Sequence, residues 1–189
     1  MDAVLDKRER ILAAAARLIV RNGLQCSMSA IAEEASVATG SLYNYFASKE
    51  ALVLGVYERT TAEMIESLMT PADPASTPEM RVRQYIGDYI DFIWQDAQRA
   101  RLFDYLDNNP LIALNDAITV FAPFVAHGIA MIELAQADGV VRPGPATMII
   151  SFVRGSIRNT LRRRRLTAST LSKDDRDLVA AMCWAAIAA

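Results

Sequence analysis

Histidine and cysteine are scarce in this 189-residue chain: one histidine, His127, and two cysteines, Cys26 and Cys183. The cysteines lie far apart with no CxxC or Cys/His spacing, so neither a disulfide framework nor a zinc site is expected, and both read as buried thiols. A lone histidine, scattered carboxylates and no nucleophile motif supply no metal site and no convergent catalytic set, so an enzyme is not expected and no cofactor is implied. No run of about eighteen consecutive apolar residues is there to span a bilayer, and the opening MDAVLDKRER has no signal-peptide apolar region, so a cytoplasmic protein without a membrane partner is expected. An excess of one charge is missing too. The formal net charge is -2, and residues 1–60 hold seven Lys/Arg against seven Asp/Glu. Bulk electrostatics therefore announces no nucleic-acid partner, and any such case must rest on local placement.

What the chain does have is apolar content, 52%, with helical periodicity throughout and neither a strand pattern nor an internal repeat. RERILAAAARLIVRNG sets Ile11, Ala15, Leu18 and Ile19 along one stripe and stops at Asn22-Gly23. Ser27 can cap a short helix facing Met28, Ile31, Ala32 and Ala35 inward, and a tight turn follows at Ser36-Val37. In ATGSLYNYFASKEAL, from Ala38 to Leu52, Leu42 and Phe46 are one turn apart and can pin the segment to a core. Thr39, Ser41, Tyr43, Asn44 and Tyr45 are left on other faces, hydrogen-bonding groups in want of a partner. Ser48 caps a long helix from Lys49, which PADPASTP ends. Five more helices are expected: one carrying Val82, Tyr85, Ile86, Tyr89 and Ile93, then Ala100–Leu106 stopping at DNNP, Leu114–Ala137 with Pro123 inside, Ala146–Arg165, and Lys173–Ala188 capped by Ser172.

The string SMSAIAEEASVATGSLYNYFASKEAL, Ser27 to Leu52, resembles the TetR family of one-component transcriptional regulators. The carrying residues are Ser27, Ile31-Ala32, Gly40, Leu42-Tyr43, Phe46 and Lys49, and the motif covers roughly the first quarter of the chain. Two positions depart from the family pattern: Ser36 stands where the turn glycine is usual, and Ala38 where a serine precedes the third helix. A non-glycine residue in a left-handed turn costs about 1–2 kcal/mol. With no cap at Ala38, Thr39 is the alternative N-cap, which would commit its side chain to the backbone.

The resemblance implies an all-α fold of about nine helices. An N-terminal three-helix DNA-binding domain with a helix-turn-helix would occupy residues 1–52, and a larger helical ligand-binding and dimerisation domain residues 53–189. It implies that Thr39, Gly40, Ser41 and Asn44 face base edges, that Tyr43, Tyr45, Lys49 and Ser27 reach phosphates, and that the partner is a double-stranded, palindromic DNA operator bound by a homodimer. Lys7, Arg8 and Arg10 form either a basic arm or an ordinary helix start. Arg162–Arg165 reads as a solvated helix end offsetting the macrodipole. The function implied is repression relieved by a small apolar or aromatic inducer, for which Tyr89, Phe92, Phe103, Phe121, Phe124, His127 and Phe152 are the pocket candidates. The apolar TMIISFVRGSI and LVAAMCWAAIAA suit a four-helix dimer interface. A helical ligand-binding or adaptor protein without DNA binding is the alternative.

Overall fold

The computed structural model describes residues 6–71, 73–106 and 114–189. Among them run α1 (Lys7–Asn22), α2 (Met28–Glu34), α3 (Thr39–Tyr43), α4 (Lys49–Leu68), α5 (Pro78–Gln95), α6 (Ala97–Leu106), α7 (Leu114–Ala137), α8 (Ala146–Arg164) and α9 (Lys173–Ile187). The fold is all-α; among the described residues the only extended pairing is a lone bridge between Val141 and Ala188. The expected stop at Asp107–Pro110 and the first five residues of the chain lie outside the described residues.

Side-chain caps set most helix starts, as hydroxyl oxygens accept from otherwise unpaired first-turn N–H groups. Ser27 accepts from Ala30 N at 3.1 Å, Ser48 from Ala51 N at 3.2 Å, and Ser172 from Asp175 N at 3.1 Å. Thr77 accepts from Met80 N at 3.2 Å and places Pro78 at the first position of α5, where its missing N–H costs nothing. The last proline of the predicted loop thus opens the next helix.

The chain packs into two compact units. One gathers the described residues through Ala62 with those of Arg101–Phe121; the other gathers Glu63–Ala100 with Ala122–Ala189. The first unit is built on a core in which Ile11, Leu12, Ala15 and Ile19 of α1 meet Ile31 and Ala32 of α2, Leu42 of α3, and Leu52, Val53 and Val56 of α4. Gly55 lets α4 come close: a Cβ there would lie 2.9 Å from the Phe46 ring and 3.1 Å from a Leu12 methyl. In the second unit α5 packs on α8 and α9, burying Ile86, Ile90, Ile150, Val153, Ile157, Val179 and Cys183.

Arginines finish several of these packings. Arg176 on α9 grips Asp91 on α5, donating from Nε and Nη2 to its two carboxylate oxygens at 2.8 and 2.7 Å. Within the RRRR run, Arg162 and Arg163 are exposed as expected, but the other two are not simply solvated. Arg164 pairs with Asp175 at 2.8 Å, and Arg165 donates to the carbonyls of Ile93 and Trp94 at 2.5 and 2.6 Å, satisfying acceptors that the end of α5 leaves over.

One expectation is corrected. Within α7, Ile118–Ala137 has a mean hydropathy of 1.7 and is long and apolar enough to cross a membrane by length and composition. A search for consecutive apolar residues passes over it because Thr119, His127, Glu133 and Gln136 interrupt the run. Mostly buried core helices pass the same test, but here only 28% of the stretch is buried, with Phe124, Ile132 and Ala135 on the face turned into protein.

Candidate nucleic-acid interface and ligand cavity

The turn between α2 and α3 is made as the sequence requires: Ser36 adopts φ +54°, the left-handed conformation usually given to glycine. Val37 N then closes onto Ala32 O at 2.9 Å. Ala38 is the N-cap of α3 and offers no side-chain bond, and Thr39 is the first helical residue. Thr39 is therefore not the cap, and its exposed hydroxyl stays uncommitted to the backbone.

Leu42 is fully buried and Phe46 nearly so, which rolls the other face of α3 outward. Tyr43 and Tyr45 are 49% and 41% exposed, too much for core aromatics and in line with partner-facing ones. Thr39, Gly40 and Asn44 are exposed, and Ser41 and Lys49 half-buried. Gly40 has negative φ and open space where a Cβ would stand, so neither turn geometry nor internal packing requires a glycine. Ser27 is exposed at the start of α2, its hydroxyl shared between Ala30 N and Ser29 Oγ at 2.9 Å. Seven of the eight candidates thus lie along α3 and its flanks to Lys49, with Ser27 at the head of α2.

The charges around this surface are sorted. Arg17 and Arg21 pair with Glu34, at 2.9 and 3.5 Å, and Arg59 pairs with Glu9 at 3.1 Å. Arg8 lies over the Phe46 ring, 5.4 Å from its centroid, and 3.7 Å from Glu58. Arg8 therefore belongs to the packing of α1 on α4 and is not part of a free basic arm, and Arg10 has a buried Nε without a partner. Lys7 is exposed. Lys49 makes no ion pair among the described residues. It pulls on the Cys26 thiol, yet burial wins and pushes that thiol up, which leaves Cys26 a packed, unreactive group.

Of the seven pocket candidates, the structure gathers few. A cavity of about 590 Å³ opens in the second unit beside the end of α4 and its following loop, α5 and α7. Leu68, Met69 and Pro71 form one wall, Gln84, Tyr85 and Asp88 another, and His127, Met131 and Leu134 a third. This volume suits a small organic ligand. His127 is the one candidate on the wall. Burial, and after it the charge of Arg154, lower its pKa and keep the imidazole neutral.

The other six sit elsewhere. Tyr89 and Phe124 are buried and stacked with ring centres 6.5 Å apart, behind the cavity lining. Phe92 is buried under the Arg99 guanidinium, 3.7 Å from its centroid. Phe103 and Phe121 belong to the first unit, Phe121 meeting Tyr57 edge-on at 5.8 Å. Phe152 is 51% exposed, because the inward positions of α8 are Ile150, Val153, Arg154, Ile157 and Leu161, and residue 152 falls on the opposite side of the helix. Aromatic content marked a core here rather than a pocket. Tyr85 and the loop residues were missed. Arg154, an arginine inside the apolar stretch IISFVRGSI, was the overlooked signal, since such a residue is seldom buried without a reason.

The family described as "Bacterial regulatory proteins, tetR family" matches residues 11–56. The HTH-type transcriptional activator FasR of Mycolicibacterium smegmatis is 30% identical over 136 residues, 71% of this chain and 57% of FasR. The chain spans about half the length of the curated relatives it matches, 40–57% in five of them. Among solved structures, a TetR family transcription regulator from Marinobacter aquaeolei VT8 shares the fold at TM-score 0.85 and 17% identity, over 96% of this chain and 95% of that one. AibR, in complex with isovaleryl coenzyme A and operator DNA, does so at TM-score 0.78 and 18% identity, over 94% and 97%. With the signature lodged in its first helices and the fold shared along nearly its whole length, the chain belongs to the tetR family of bacterial regulatory proteins.

Proposed function

We propose that this chain is a sequence-specific DNA-binding transcriptional regulator that binds a palindromic operator as a homodimer and loosens its hold when a small ligand fills the cavity. The carrying observation is the outward face of α3, polar and exposed while Leu42 and Phe46 anchor it from behind. A helix so mounted enters a major groove with Thr39, Gly40, Ser41 and Asn44 toward base edges, and Asn44 is chemically suited to an adenine. Tyr43, Tyr45, Lys49 and Ser27 reach phosphates, which fix register without reading sequence. Residues 1–52 would be the DNA-binding domain and 53–189 the ligand-binding and dimerisation domain.

Dimerisation is supported by α8 and α9. Met148 and Phe152, one turn apart, are 68% and 51% exposed; Leu178 and Met182, also one turn apart, are 58% and 50% exposed. Two such stripes on packed helices suit a four-helix interface with a second copy. Paired recognition helices would then stand about 34 Å apart, one helical turn of DNA. A ligand that prefers a different separation shifts the population away from the DNA-bound form. Repression relieved by ligand is the reading retained, and a reporter fused to the operator reads its sign directly, as FasR is named an activator.

Fluorescence anisotropy on labelled DNA from upstream of the chain's own gene, at two salt concentrations, tests the reading. Selective, salt-sensitive binding that weakens in Tyr43→Phe and Lys49→Ala is expected. Equal affinity for that DNA, for fragments across the genome and for a random duplex would move the reading to a ligand-binding adaptor. Leu178→Glu with Met182→Glu is expected to give a monomer by sedimentation and to lose operator affinity with it.

A further inference from the structure

Behind the cavity wall lies a buried cation without a counter-ion. Arg154 is only 9% exposed. Its Nε donates to Tyr85 Oη at 2.6 Å and its Nη2 to the Phe124 carbonyl at 3.1 Å. The guanidinium also lies 3.8 Å from the centre of the Phe124 ring. Each of these partners is neutral, and no carboxylate pairs with Arg154 among the described residues. Half-buried arginines elsewhere in this unit do structural work: Arg165 closes the carbonyl end of α5, and Arg176 has Asp91. Arg154 differs in being buried, and a guanidinium presents five donors, of which its two hydrogen bonds occupy two. A buried charge left in this state is unfavourable until an anion meets it.

The surroundings are shaped for it. A Cβ at Gly128 would collide with the guanidinium and with Ile150, so a glycine, unfavourable inside a helix, is what admits the arginine. Two cavity-lining residues that interact with it are polar and uncharged. Tyr85 stays protonated, burial pushing its phenol far up against the pull of Arg154, and has its own proton to offer an acceptor. His127 is held neutral by burial and by Arg154. Of the acids on the cavity wall, Asp73 accepts from Ala75 N at 2.8 Å, and burial and the neighbouring Asp91 push the Asp88 carboxyl up, against the pull of Gln84 and Arg176, which favours its neutral form.

We propose that the cavity takes an amphipathic carboxylate whose anionic head is drawn past Tyr85 and His127 to Arg154, with its apolar body against Leu68, Met131 and Leu134. This rests on the reading of the cavity as the ligand site and adds the charge of the ligand to it. Arg154 supplies the counter-charge and a planar fork matched to a carboxylate, Tyr85 a further donor, and Gly128 the room.

The test titrates the full chain with decanoate and with decanamide, which share a body and differ in charge, by calorimetry. The parent is expected to bind decanoate about tenfold or more tightly than decanamide, a charged hydrogen bond against a neutral one. That ratio should fall to about one in Arg154→Met, whose fold is checked by circular dichroism. Arg154→Gln, which keeps a donor for Tyr85 and Phe124 without the charge, gives the same readout should the first variant not fold. Equal affinities in the parent, no binding of either compound, or an acid preference that survives both substitutions would overturn the proposal. Acid-selective binding that leaves operator affinity unchanged would instead fail the ligand-responsive regulator and keep the site.

Discussion

The two compact units treat their arginines differently. In the first, Arg8, Arg17, Arg21 and Arg59 each meet a glutamate, on exposed or half-buried ground. In the second, Arg99, Arg154 and Arg165 turn inward onto carbonyl oxygens and ring faces, beside carboxylate pairs such as Arg176–Asp91. The first arrangement cancels charge within the fold, so that the cation left over near α3, Lys49, is available to an outside anion. The second uses guanidinium forks as packing and capping groups, and buries one of them, Arg154, with no carboxylate paired to it among the described residues. Net charge is blind to this difference; the placement of single cations carries it.

The strongest way to break the comparison is to remove the floor under α3. Phe46→Ala deletes a ring held between Leu12, Gly55 and Arg8, and is expected to cost about 3–5 kcal/mol in urea unfolding and to abolish operator binding with it. A sharper cut separates the two kinds of cation in the first unit. Lys49→Ala is expected to leave stability almost unchanged while reducing the salt slope of DNA binding by about one. Arg17→Met should do the reverse, costing at most about 1 kcal/mol of stability with the salt slope intact, since the pair with Glu34 is partly exposed. The smallest expected effect lies in the second unit, at His127. Its folded pKa is depressed, so its contribution to stability is present above the unfolded value of about 6.5 and is lost as pH falls below that toward the folded value. Thermal unfolding of the parent should weaken more between pH 7 and 5 than that of His127→Gln.

The first unit was legible because its constraints are local. Ser27 and Ser48 cap within three residues, Ser36 bends the turn by its own backbone, and Leu42 and Phe46 are one turn apart. Their spacing alone says which face of α3 is buried and which is free. Even there, choosing between Ala38 and Thr39 as N-cap depended on the backbone angles of neighbouring residues. The cavity was not legible for the opposite reason. Tyr89, Phe92 and Phe124 have the composition of a pocket and the position of a core, and Phe152 shares its helix with Arg154 while facing away from it. The residues that line the cavity come from three segments, 68–73, 78–88 and 127–134, the last about forty positions from the others, and no periodicity in one helix reports what the others leave empty.

The order of helices, their caps, the helix-turn-helix and its exposed polar face follow from sequence, because each rests on hydrogen bonds and spacings within about one turn of chain. Only the tertiary structure decided that Arg8 packs on Phe46, that Arg165 closes the end of α5, and that Arg154 is buried against Gly128 on Tyr85 and Phe124. Those facts join residues up to 72 positions apart, and they arise from the volume that neighbouring helices leave between them rather than from the preference of any one segment.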